Sequence, residues 1–107
     1  MELSAPSVIV QEVANALWRA TKLNRISEAD AKEALKALND MRIELHELNW
    51  AQTAQALSIA CDLDLTIYDT SYVFLANELK VPLITADKTL YETAKKRCKI
   101  LHIKDYF

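Results

Sequence analysis

Residues 66–94 read TIYDTSYVFLANELKVPLITADKTLYETA, and this stretch decides the fold class. VPLIT, residues 81–85, is a short apolar run, the composition of a buried strand. Before it, Tyr72, Leu75, Ala76 and Leu79 recur at helical spacing and predict a helix over Asp69–Lys80. After it, Asp87 opens a second helix, predicted to run to Arg97. LTIY, residues 65–68, reads as a further strand ahead of the first of these helices. Strands that alternate with helices imply parallel pairing through helical crossovers.

The alternation continues outward in both directions. KILHI, residues 99–103, reads as a last strand. Upstream, Asn49 followed by Gln52 predicts a helix start, with Ala54, Leu57, Ile59 and Ala60 along the helix. MRIELHEL places Ile43 and Leu45 on one side and Arg42, Glu44 and His46 on the other, the pattern of a half-buried or edge strand. Ser27 with Asp30 is a capping signal for a helix striped by Ala31, Ala34, Leu35 and Leu38. EVANALWRATKL, with Val13, Ala16, Leu17 and Ala20, predicts a helix ending near Asn24, and Ser7–Val10 before it reads as a buried strand. The expectation is one α/β domain over residues 1–107 with a mainly parallel sheet.

Composition narrows the function. The chain of 107 residues is 51% hydrophobic, enough for a modest core, and its formal net charge is −2. A slightly acidic balance excludes coating of nucleic acid by bulk electrostatics and leaves a local grip on RNA open. Two cysteines, Cys61 and Cys98, form no CxxC pair and fit a reduced intracellular protein. No run reaches the roughly 18 apolar residues of a membrane span, and MELSAPSVIV lacks a charged signal-peptide opening. The expected address is cytoplasmic. Glycine is absent, which excludes Gly-rich phosphate loops and leaves helix ends to residues such as Asn24, Asn39 and Asp62.

Three acids follow the apolar runs: Glu12 after SVIV, Asp69 after LTIY, and Asp87 after VPLIT and Ala86. The C-terminal edge of an open parallel sheet is where ligands bind. Taken singly, Asp69 and Asp87 are good helix N-caps, and a carboxylate in a first helical turn gains about 0.3–1 kcal/mol from the macrodipole. Taken together, three carboxylates at one rim suit a divalent cation, Mg²⁺ or Mn²⁺, and metal-assisted phosphoryl hydrolysis.

EVANALW, TIYDTSYVFLANEL and VPLITADKTLYETA are similar in order and spacing to PIN domains, and to their VapC toxin branch. The resemblance covers essentially the whole chain. It implies a three-layer α/β/α sandwich of strand order 3-2-1-4-5. It implies Mg²⁺- or Mn²⁺-dependent cleavage of RNA, with Glu12, Asp69 and Asp87 at the family's acidic positions as catalytic and metal-holding residues. It also implies homodimers or larger homo-oligomers and an antitoxin protein partner. The family pattern opens with a V-D-A-S strand that ends in a further site aspartate. No such segment stands in this sequence, and Glu2, ahead of the first strand, is no substitute. The expectation is weaker metal binding, and an intertwined homo-oligomer or a rearranged sheet in place of the central strand. The rival reading is a non-catalytic PIN remnant that binds protein or RNA and cuts nothing.

Other residues carry weaker signals. Thr85, Thr70 and Ser71 lie beside the acids as ligand-orienting or capping groups, and Asn15 lies near Glu12. Arg19, Lys22, Arg25, Lys88, Lys95, Lys96, Arg97 and Lys99 fit either RNA phosphates or a solvated basic face. Trp18 and Tyr72 read as core or dimer contacts, and His46 and His102 lie on strand patterns without ligand spacing.

Overall fold

A computed structural model describes residues 2–106. Its elements run β1 (Ser4–Pro6), α1 (Ile9–Lys22), α2 (Glu28–Asp40), β2 (Glu44–His46), α3 (Trp50–Leu63), α4 (Ile67–Leu79), β3 (Leu83–Thr85), α5 (Lys88–Ala94) and β4 (Ile100–His102), followed by a 3₁₀ turn over Ile103–Tyr106. The α/β class and parallel pairing are as expected. The chain gathers into two compact units, Met1–Glu47 and Leu48–Phe107.

In the Met1–Glu47 unit, β1 and β2 pair in parallel with Ala5 opposite Leu45. The return of chain direction between them is made by α1 and α2. Ser27 and Asp30 form a reciprocal capping box at the start of α2, which satisfies two backbone donors at that end. Asn24 ends the α1 segment in the left-handed region with φ 58°. The strand expected over Ser7–Val10 is not there. The strand is the less β-prone Ser4–Pro6, and Ile9 and Val10 already belong to α1. A short β-branched run bounded by turn residues reads alike as a strand or as a first helical turn.

The Leu48–Phe107 unit holds a dense core. Ala56 and Ile59 of α3, Val73, Phe74 and Ala76 of α4, Leu83 of β3, Leu90 and Ala94 of α5 and Ile100 of β4 are all buried. α4 carries Thr70 and four consecutive buried residues, Val73, Phe74, Leu75 and Ala76, as befits a helix covered on most sides. Tyr72 packs against this core, as read from the sequence. β3 and β4 pair in parallel, Leu83 opposite Ile100 and Thr85 opposite His102. The described strands thus form two two-stranded parallel sheets.

Several expectations are corrected here. LTIY is no strand. Thr66 is the N-cap of α4, its hydroxyl accepting the Asp69 amide at 3.1 Å, so Ile67 and Tyr68 are helical. Helix ends fall at Asp64 and Lys80, both left-handed with φ 54° and 56°, and not at Asn39 or Asp62. α5 stops at Ala94, short of Arg97. Leu57, expected on the inner stripe of α3, is 55% exposed, and Trp18, expected as a core or dimer contact, is 56% exposed. No helix among the described residues is long and apolar enough to cross a membrane.

Candidate functional site

Asp87 stands where the sequence places it, two residues beyond β3 and at the start of α5. Its Oδ1 accepts the Leu90 amide at 3.1 Å, and its own amide donates to Thr85 Oγ1 at 3.0 Å. One carboxylate oxygen is thereby committed to capping. Capping through one oxygen is compatible with a functional role for Asp87. Thr85 serves as the group that fixes the turn.

Asp69 is reached differently from expected. It follows no strand and caps no helix. It is the third residue of α4, brought there by the Thr66 cap, and is half-buried. Burial raises its carboxyl above the ordinary 3.8, a hydrogen bond with the Thr66 side chain opposes this, and the negative charge of Asp87 raises it further. Asp69 and Asp87 both belong to the Leu48–Phe107 unit. Like charges held together in a partly desolvated setting are the arrangement that a divalent cation relieves.

Glu12 lies in the first turn of α1, half-buried, in the Met1–Glu47 unit. The strand before it is β1, and Ser7 and Val8 intervene. Among the described residues no three His, Cys, Asp or Glu side chains gather closely enough to hold a metal ion. Asp69 and Asp87 lie in one unit, and the charge of Asp87 adds to the rise in the Asp69 carboxyl. Mg²⁺ commonly binds through one or two carboxylates with water and substrate phosphates completing its shell, and Asp69 and Asp87 carry that donor chemistry.

The neighbouring hydroxyls have structural roles. Thr70 is fully buried and its Oγ1 donates to the Ala56 carbonyl at 2.9 Å, stitching α4 to α3. Ser71 Oγ donates to the Ile67 carbonyl at 2.7 Å within α4. Asn15 is exposed on α1. Lys22 covers the Trp18 ring, its Nζ 5.2 Å from the centroid, and Arg97 Nη1 meets Asp62 Oδ2 at 3.2 Å. Cys61 is exposed, and burial pushes the Cys98 thiol up, away from reactivity. Thr66 is the site residue the sequence reading missed. T-I-Y-D is itself a T-x-x-D capping signal, and it outweighs the β-branched look of LTIY.

Parallel strands joined by helices, with an aspartate just past a strand, define an α/β protein. A PIN-domain family model matches residues 2–96, and the chain belongs to that family. Its relatives include the VapC ribonuclease Mb0985 of Mycobacterium bovis, 31% identical over 104 residues that cover 92% of this chain and 75% of the relative. Ribonuclease VapC1 of Mycobacterium tuberculosis is 34% identical over 99 residues, 91% of this chain and 71% of the relative. The crystal structure of PAE2754 from Pyrobaculum aerophilum superposes with a TM-score of 0.79 at 25% identity, over 97% of this chain and 73% of that one.

Proposed function

We propose that this chain is a VapC-type endoribonuclease that hydrolyses RNA phosphodiesters with Mg²⁺ or Mn²⁺. The observation that carries this reading is the placing of Asp69 in the first turn of α4 and of Asp87 just beyond β3, with the Asp87 charge adding to the rise in the Asp69 carboxyl. Asp69 and Asp87 would hold the cation, with Glu12 as the third family carboxylate. When bound, the cation polarises the scissile phosphate and makes an attacking water more acidic. The residues of the chain set the stage for that chemistry. Thr66 orients Asp69 through the helix cap, Thr85 orients Asp87, and partial burial of Asp69 strengthens its interaction with any cation placed there. By kinship with VapC ribonucleases, the reading extends to a cytoplasmic protein, an antitoxin protein that binds and silences the site, and a homo-oligomer.

A second reading, a PIN module that binds RNA or protein without cutting, is favoured by one observation. No three ligating side chains gather among the described residues. One experiment separates the two. The purified chain is incubated with labelled single-stranded RNA and Mn²⁺, with and without EDTA, beside Asp69→Asn and Glu12→Gln. Metal-dependent cleavage lost in both variants supports the nuclease with all three acids. Cleavage lost only in Asp69→Asn reduces the site to the aspartate pair. A folded chain that binds RNA and leaves it intact supports the binding module.

A further inference from the structure

The most lopsided charge on the chain lies between Lys88 and Lys104. Six of its thirteen basic residues fall there and only one of its fifteen acids, Glu92, in a protein of formal net charge −2. Outside the stretch Lys32 pairs with Glu28 at 3.1 Å, and within it Arg97 is taken up by Asp62 at 3.2 Å. Lys88, Lys95 and Lys104 remain around the single acid of the stretch, and of these Lys95 pairs with it. Lys88 and Lys95 stand four residues before and three residues after Glu92, the spacing that sets all three on one helical face. Lys95 Nζ donates to Glu92 Oε2 at 2.7 Å.

Lys104 arrives from the other side of β4, and its approach is anchored. His102, buried at the end of β4, accepts the Lys104 amide on Nδ1 at 3.2 Å. The same ring meets Tyr91 of α5 edge-on, with centroids 5.8 Å apart and planes at 80°. The 3₁₀ turn that carries Lys104 is thus tied to α5. The Glu92 carboxyl is held below its ordinary range by Lys95 first, with Lys88 and Lys104 adding to the effect. One carboxylate against three ammonium groups leaves a cationic face, and such a face is relieved by an external polyanion. The face begins one residue after Asp87.

We propose that Lys88, Lys95 and Lys104 form a track for the RNA phosphate backbone that positions the strand beside Asp69 and Asp87. They are positioning residues. Ammonium groups grip phosphates as point charges and carry no sequence information, so the track sets register and leaves base choice to other contacts. The inference rests on the ribonuclease reading only in taking RNA as the polyanion.

The test is fluorescence anisotropy of labelled single-stranded RNA with the full chain in EDTA, across a salt series. The triple variant K88Q/K95Q/K104Q is expected to bind roughly tenfold or more weakly at low salt, with a log–log salt slope shallower by about two. Glu92→Gln, which removes the only acid between Lys88 and Lys104, is expected to bind more tightly than the parent. Arg97→Gln and Lys32→Gln, each deleting a charge already paired, are expected to keep the parental slope. A triple variant with a native circular dichroism spectrum and an unchanged slope overturns the track. So do controls that weaken binding as much per charge, since that outcome assigns the effect to net charge. If the triple variant does not fold, Glu92→Gln decides, and parental affinity in it overturns the proposal. Binding in EDTA is independent of cleavage. A chain that grips RNA through these lysines and cuts nothing leaves the track standing and counts against the nuclease reading alone.

Discussion

Asp69 is the residue at which stability and proposed activity pull in opposite directions. Its carboxyl is raised above 3.8 by burial and by Asp87, so the folded chain binds this proton more tightly than the unfolded chain does. Between 3.8 and the raised folded value, stability falls as pH rises, and above that window the penalty is complete. Asp69→Asn removes the charge while keeping the shape. In EDTA at neutral pH the variant is expected to melt at a higher temperature than the parent, and the gap should close as pH falls below about 3.8. Added Mg²⁺ should raise the melting temperature of the parent and leave that of the variant unmoved. Coincident melting curves at neutral pH would show that Asp69 is not destabilised by its surroundings. Thr70 provides the contrast. Its hydroxyl is spent on the Ala56 carbonyl, so Thr70→Val should cost about 1 kcal/mol in a urea melt and leave any RNA cleavage rate unchanged. A loss of rate at full stability would return Thr70 to the site.

At the scale of elements, what was legible in the sequence followed from local hydrogen bonding. Both reciprocal capping boxes, Ser27 with Asp30 and Asn49 with Gln52, are in place, because each is closed by two side chains three residues apart and needs nothing from the rest of the fold. β3 and β4 were legible for the same reason as the core. Their apolar residues Leu83 and Ile100 are buried and have few alternatives. β1 was not legible, since Ser4, Ala5 and Pro6 have no strand preference and are extended only through pairing with Glu44, Leu45 and His46. The setting of the acids was legible one by one. Asp87 follows its strand, whereas Asp69 stands in a first helical turn set by the Thr66 cap, which the β-branched LTIY disguised. The absence of glycine leaves its own mark. Lys80 ends α4 in the left-handed region, where a β-carbon is crowded. Lys80→Gly is therefore expected to stabilise the chain by about 0.5–1 kcal/mol in urea, the relief of strain exceeding the entropy that glycine adds to the unfolded state. Ser27→Ala should cost about 1 kcal/mol by the same measurement.

At the scale of the whole molecule, the two units are unequally furnished. The Leu48–Phe107 unit has the buried cluster, while neither α1 nor α2 carries a buried residue among those described. Each unit also presents one of the two tryptophans of the chain, Trp18 at 56% and Trp50 at 92% exposure. Single exposed apolar residues are ordinary on a monomer, but an almost fully exposed tryptophan forgoes one of the largest burial gains a side chain offers. Together with Leu23, Met41 and Leu57, each more than half exposed, these rings supply the aromatic anchors typical of a protein interface. Light scattering at micromolar concentration is therefore expected to give a mass above the 12.2 kDa of one chain. Because the chain has only two tryptophans, its intrinsic emission reports the same event. Emission should shift to the blue as concentration rises, and Trp50→Ser should abolish most of that shift while lowering the mass. A monodisperse monomer whose emission stays at the solvent-exposed position across the same range would refute assembly through these rings. In that case the exposed face of each unit would be left to a partner of another kind, and the antitoxin would be the first to try.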